Sequence, residues 1–133
     1  MGRCFKIIVL FIGLFSISNL SSGQDIHVQL ESALMSGNVK SFSKLFDERV
    51  EIIIDGESHD YSQQQAQVVL NKFLGSIHIT GFELIHSGVS KNQSKYYIGR
   101  MIATEAEYQV YVYLKRRNNT DFVEEIKIEK QTN

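Results

Sequence analysis

The stretch KYYIGRMIATEAEYQVYVYLKRR, Lys95 to Arg117, decides the fold. In its second half Ala106, Tyr108, Val110, Val112 and Leu114 fall on one side, and Glu107, Gln109, Tyr111, Tyr113 and Lys115 on the other. Period two is the repeat of a strand with one buried face. The first half, Lys95–Thr104, is apolar on both sides, with Tyr96, Ile98 and Ile102 against Tyr97, Met101 and Ala103. Such a strand lies centrally in a sheet and offers its outer face to a partner, a second copy of the chain for example. Thr104-Glu105-Ala106 separates the two halves and allows a two-residue hairpin.

Further strands flank this pair. Phe122–Lys130 follows the polar turn Asn118-Asn119-Thr120-Asp121 and sets Phe122, Ile126 and Ile128 on one face. Ile79–Gly88 precedes Lys91-Asn92-Gln93, another turn sequence. Four consecutive strands with short connections read as an antiparallel meander. Upstream the period lengthens. Ser62-Gln63-Gln64-Gln65 has the form of a capping box, and the helix it opens carries Ala66, Val69, Leu70, Phe73 and Leu74 on one stripe, ending near Gly75. Val50–Ile54 is β-branched, a strand closed by the turn pair Asp55-Gly56. Ile26, Leu30, Ala33 and Leu34 mark a first helix, stopped by Gly37. Asn38 is placed to cap a second, short helix with Val39, Phe42, Leu45 and Phe46 on one side. The expected order is ααβαββββ. A sheet apolar on one face needs cover, and three amphipathic helices supply it, so the class is α+β with residues 24–133 as a single domain.

Residues 1–23 read as an address. Arg3 and Lys6 precede an apolar run from Ile7 to about Ile17, followed by Ser21, Ser22 and Gly23. That is the order of a secretory signal peptide, and the run falls short of the roughly 20 residues that span a bilayer. Export to the periplasm or beyond is the expectation, with the membrane involved only in passage. The one cysteine, Cys4, lies ahead of the apolar run and would leave with it. Disulfide frameworks, thiol catalysis and thiolate–zinc sites are thereby excluded for the mature chain. With 14 basic and 15 acidic residues in 133, the chain has no cationic surplus for nucleic acid.

Particular segments carry a resemblance. They are Ala33-Leu34-Met35-Ser36-Gly37-Asn38, Tyr61-Ser62, Phe82-x-Leu84-Ile85-His86-x-Gly88, Ser94-Lys95-Tyr96 with Ile98-Gly99, Tyr108-x-Val110-Tyr111, and Ile126-x-Ile128-Glu129-Lys130. Together they resemble the nuclear-transport-factor-2-like, or cystatin-like, cone, in which a curved antiparallel sheet wraps over helices. They are also similar to an uncharacterised family of small exported Bacteroidetes proteins with that fold. The resemblance covers nearly all of residues 25–130. It implies a fold and no activity, because members of the wider fold include both enzymes and modules that only bind or dimerise.

Candidate site residues come from the polar groups set among apolar ones. His86 shares a face with Phe82 and Leu84 by period two, and in a dry pocket it would serve as general base of an isomerase or dehydratase. Its ordinary role is that of a hydrogen-bonded core or rim histidine. Arg100 interrupts the apolar row Ile98–Ile102, where it would grip an anionic ligand or pair with a carboxylate such as Glu107. Tyr96 is a further tentative lining residue. Tyr61 stands before the N-cap, where packing on Ala66 is the usual task. His59 and Asp60 read as solvated loop residues. Lys115-Arg116-Arg117 reads as a solvated strand end. His27, His59, His78 and His86 are scattered without metal-ligand spacing, and no catalytic residue, metal or cofactor is assigned. The residues alone leave the function unknown, and the favoured reading is a non-catalytic binding or dimerisation module with a small apolar pocket. The alternatives are the enzyme based on His86 and a structural subunit of the envelope.

Overall fold

The structure, a computed structural model, describes residues 26–132, so the signal-peptide expectation lies outside the described residues. Helix α1 spans Ile26–Ser36 and buries Ile26, Leu30, Ala33 and Leu34. Gly37 comes next with φ +70°, a left-handed conformation that glycine adopts without penalty. Helix α2, Val39–Phe42, is a single turn that runs into a 3-10 turn at Ser43–Leu45. The side chain of Asn38 makes no capping bond, contrary to expectation, and α2 is held instead by burying Val39 and Phe42.

Strand β1 covers Phe46–Ile54, and Asp55-Gly56 turns it back with both residues at positive φ. The next segment departs from the sequence expectation. Glu57–Ser62 has the pattern of a loop but forms strand β2, paired antiparallel to β1 with Tyr61 opposite Val50 and His59 opposite Ile52. The order is therefore ααββαββββ. Helix α3, Gln63–Gly75, opens with the expected capping box: Gln65 N donates to Ser62 Oγ and Ser62 N donates to Gln65 Oε1, both at 3.2 Å. Gln63 Nε2 donates to the carbonyls of Ser43 and Phe46, which ties the first turn of α3 to the start of β1.

The last four strands are β3 Ile79–Val89, β4 Lys95–Ala103, β5 Glu107–Arg117 and β6 Thr120–Lys130. The hairpin between β4 and β5 closes through Ala103 N donating to Ala106 O, as the sequence allows. The six strands lie in the order β2-β1-β6-β5-β4-β3. All neighbours are antiparallel except β1 and β6, which run parallel with Ile52 beside Ile126 and Ile54 beside Ile128. The fully antiparallel expectation is corrected at that one seam. The cause is topological: α3 carries the chain from β2 at one edge to β3 at the other, and the meander then returns until β6 meets β1. Val50, Ile52, Met101, Val110, Val112, Leu114, Ile126 and Ile128 project towards the helices, and each is 2% exposed or less.

Candidate functional site

The face on which His86 lies depends on one irregularity in β3. Leu84 pairs with Gly99 but His86 pairs with Ile98, so Ile85 is an extra residue bulged out of the ladder. A bulge inverts the alternation beyond it. Phe82 and Leu84 face the helices, whereas His86 faces away from them, onto the outer side of the sheet. Period two alone places His86 with Phe82 and Leu84, and the bulge corrects that. Ile85 itself is exposed.

Cross-strand pairing lays out the outer face in three rows. One runs His86, Ile98, Tyr111, Lys127 and Ile53 across β3, β4, β5, β6 and β1. The row on one side holds Gly88, Tyr96, Tyr113, Glu125 and Glu51, and the row on the other holds Glu83, Arg100, Gln109 and Glu129. His86 Nε2 lies 2.7 Å from Tyr96 Oη, with the ring centres 5.4 Å apart. Arg100 donates to Glu83 Oε2 at 2.6 Å; the paired reading holds, with Glu83 in the place expected for Glu107. At the centre of the rows is a shallow depression of about 240 Å³ lined by Ile98, Gln109, Tyr111, Glu125, Lys127 and Glu129.

The electrostatics of this face come from half-buried polar groups crowding one another. Glu125 sits between Glu51 and Tyr113, and burial with the nearby Glu51 carboxylate holds its pKa above the ordinary carboxylate range. Burial, helped by Glu125 and the phenols of Tyr113 and Tyr96, raises the Tyr111 pKa. Both groups are held in their neutral forms more firmly than in water.

Tyr61, the fourth tentative site residue, lies on the other side of the sheet. It packs against the core edge and, with Ile52, Ile54, Glu57, His59 and Val69, lines a depression of about 240 Å³ between the β1–β2 hairpin and α3. The rings of His59 and Tyr61 are 5.9 Å apart. His86, Arg100 and Tyr96 thus share one surface, and Tyr61 does not join them. Lys115 and Arg117 are exposed, as a solvated strand end would be, and two of the three cations also find carboxylates. Arg117 pairs with Asp47, and Arg116 approaches Asp121, which also takes Lys95 at 2.9 Å. Among the described residues no three His, Cys, Asp or Glu side chains gather as metal ligands would, and no helix is long and apolar enough to cross a membrane.

Sequence reasoning missed the placing of Glu125 and His59. Glu125 carries a signal in hindsight, since it alternates with Ile126 in a strand apolar on the other side; His59 sits in a segment with no apolar pattern at all.

This architecture, three helices under a curved six-stranded sheet, defines an α+β domain of the nuclear-transport-factor-2-like and cystatin-like class. A domain of unknown function with a cystatin-like fold from Nostoc punctiforme superposes with a TM-score of 0.65 at 10% identity, covering 81% of this chain and 74% of that one. A protein described as Rd1NTF2_04 with long sheet gives 0.63 at 12% identity over 80% and 99%. More specifically, residues 27–129 match the family described as Domain of unknown function (DUF4783), and the chain belongs to that family. A member from Bacteroides ovatus superposes with a TM-score of 0.72 at 24% identity over 78% of this chain and 94% of its own. A search of curated proteins finds no match. The family carries no assigned activity, and the function is unknown in that sense.

Proposed function

We propose that the protein is an exported, non-catalytic interaction module whose working surface is the outer face of the sheet. The observation that carries this reading is the two-sided character of the central strands. On the helix side, Met101, Val110, Val112 and Leu114 fill the cone with side chains of the protein itself. On the other side the same strands hold Tyr96, Ile98, Tyr111 and Tyr113, aromatic and apolar groups left half-buried with nothing over them among the described residues. Aromatic residues at a surface centre with charges around them are the composition of a protein contact. On this reading His86 and Arg100 act as contact residues on the rim of that surface, and His86 does not serve as a base.

The test is retention of partners by purified variants exposed to an extract of the producing cells. Ile98→Asp, at the centre of the outer face, is expected to lose what the wild type retains. Val68→Asp, on the exposed side of α3, is expected to keep it. Equal retention by both variants overturns the proposal.

A further inference from the structure

Resting on that reading of the outer face, we infer that its partner is a second copy of the same chain, stacked sheet on sheet about a two-fold axis along β5. The argument is one of register. Strands β4 and β6 flank β5 on opposite sides, and on the outer face they match level for level: Tyr96 and Glu125 beside Tyr113, Ile98 and Lys127 beside Tyr111, Arg100 and Glu129 beside Gln109. A two-fold axis along β5, in the plane between two stacked sheets, lays β4 of one copy over β6 of the other without changing levels. Stacked sheets keep their strands within about 30° of each other, so the levels stay matched near the axis.

Each superposed pair is complementary. Arg100 meets Glu129 of the opposite copy. The guanidinium has five N–H donors and needs only part of that fork for Glu83, so it can bridge Glu83 and the incoming carboxylate. Ile98 meets the aliphatic stem of Lys127, whose ammonium pairs with Glu129 at 3.1 Å. Tyr96 meets Glu125. A phenol has one donor and two acceptor positions, so Tyr96 can accept from His86 Nε2 and donate to the Glu125 carboxyl. Every pair occurs twice, as an isologous contact requires. Five strands about 4.8 Å apart and roughly 30 Å long give a face on the order of 700 Å², close to what one partner contributes to a stable interface.

Sedimentation velocity of the purified protein over a range of concentrations tests this. The wild type is expected to dimerise. Arg100→Glu and Glu129→Arg each place like charges together twice, weakening self-association by on the order of tenfold or more. Mixed in equal amounts, the two variants regain an opposite-charge pair at both positions, one in the native sense and one reversed, and the dimer returns. The double variant carrying both changes is also expected to dimerise. Circular dichroism establishes that each variant is folded, and Arg100→Gln and Glu129→Gln replace any that is not, each expected to weaken the dimer. A wild type that stays monomeric, single variants that dimerise undiminished, or a mixture that stays monomeric overturns the inference. A monomeric wild type whose extract partner is still lost through Ile98→Asp overturns self-pairing alone and leaves the outer-face reading standing.

Discussion

Tyr96 lies across Gly88 on the neighbouring strand, its hydroxyl 2.5 Å from where a β-carbon on that glycine would stand. The two residues are direct partners in the β3–β4 ladder. An aromatic ring covering a glycine on an edge strand shields backbone that would otherwise be open to another chain. Here it also delivers the phenol to His86, two residues along β3. Gly88→Ala is expected to push the ring aside, break the His86 bond and destabilise the fold by about 1 kcal/mol. Paired with Tyr96→Ala, the same alanine should cost much less, because the clash has gone. Urea denaturation of the two single variants and the double variant measures that coupling, and additive losses would show that the ring moves freely.

Glu125 gives the stability of the protein a pH dependence. Its pKa in the fold is raised, chiefly by burial and then by Glu51, so the folded chain holds a proton that the unfolded chain has released. The contribution therefore favours the fold below the ordinary glutamate pKa of about 4.3, declines as pH rises towards the raised value, and stays at the lower level above it. Glu125→Gln should raise the urea midpoint at about pH 7 and leave it nearly unchanged at about pH 4. A variant less stable than the wild type at neutral pH would contradict this.

Ser62 closes the N-terminus of α3 through both bonds of the capping box. Ser62→Ala is expected to cost about 1 kcal/mol, within the range found for lost N-caps. Thermal unfolding followed by circular dichroism reads the change, and Ser62→Asp, which retains an acceptor, should recover most of it.

The bulge sets two deletions apart. Residues on either side of Ile85 already face the way a regular strand without it would have them face. Deleting Ile85 should therefore leave a folded protein with His86 and Leu84 on their present sides. Deleting Ile98 from β4, whose pairing with β5 is unbroken, reverses every side chain beyond it and should abolish cooperative unfolding. Comparable losses from the two deletions would refute the assignment of Ile85 as the extra residue.

How far the fold is legible in the sequence depends on which groups each element buries. The alternation of Tyr108 to Leu114 is visible because β5 presses one face on the helices, and the α3 stripe because Leu70 and Leu74 are its buried row. Strand β2 is not legible. At the edge, paired only with β1, it buries so little that Glu57, Ser58, His59 and Asp60 are all exposed, and hydrophobic pattern carries no trace of a strand held by its ladder and by polar contacts such as Ser58 to Glu51 and Arg49 to Asp60. The bulge at Ile85 is equally hidden, since Ile85 is an apolar residue among apolar residues and nothing local distinguishes a bulged isoleucine from a paired one. That single offset moves His86 to the opposite face. It takes His86 from the side of Tyr61 to the side that Tyr96 and Arg100 already hold by the regular alternation of β4.

The parallel seam between β1 and β6 has a consequence for the order in which the protein can acquire its structure. The partners Phe46 and Val123, and Ile54 and Ile128, are brought together from opposite ends of the domain. Until residues 123–128 are available, β1 has only β2 beside it, and a two-stranded hairpin is marginal in water. Closing so long a loop is slow, and contacts of this separation characterise proteins that fold late and all at once. A ribosome still holding β6 would thus hold a chain whose sheet has no means of joining its two halves.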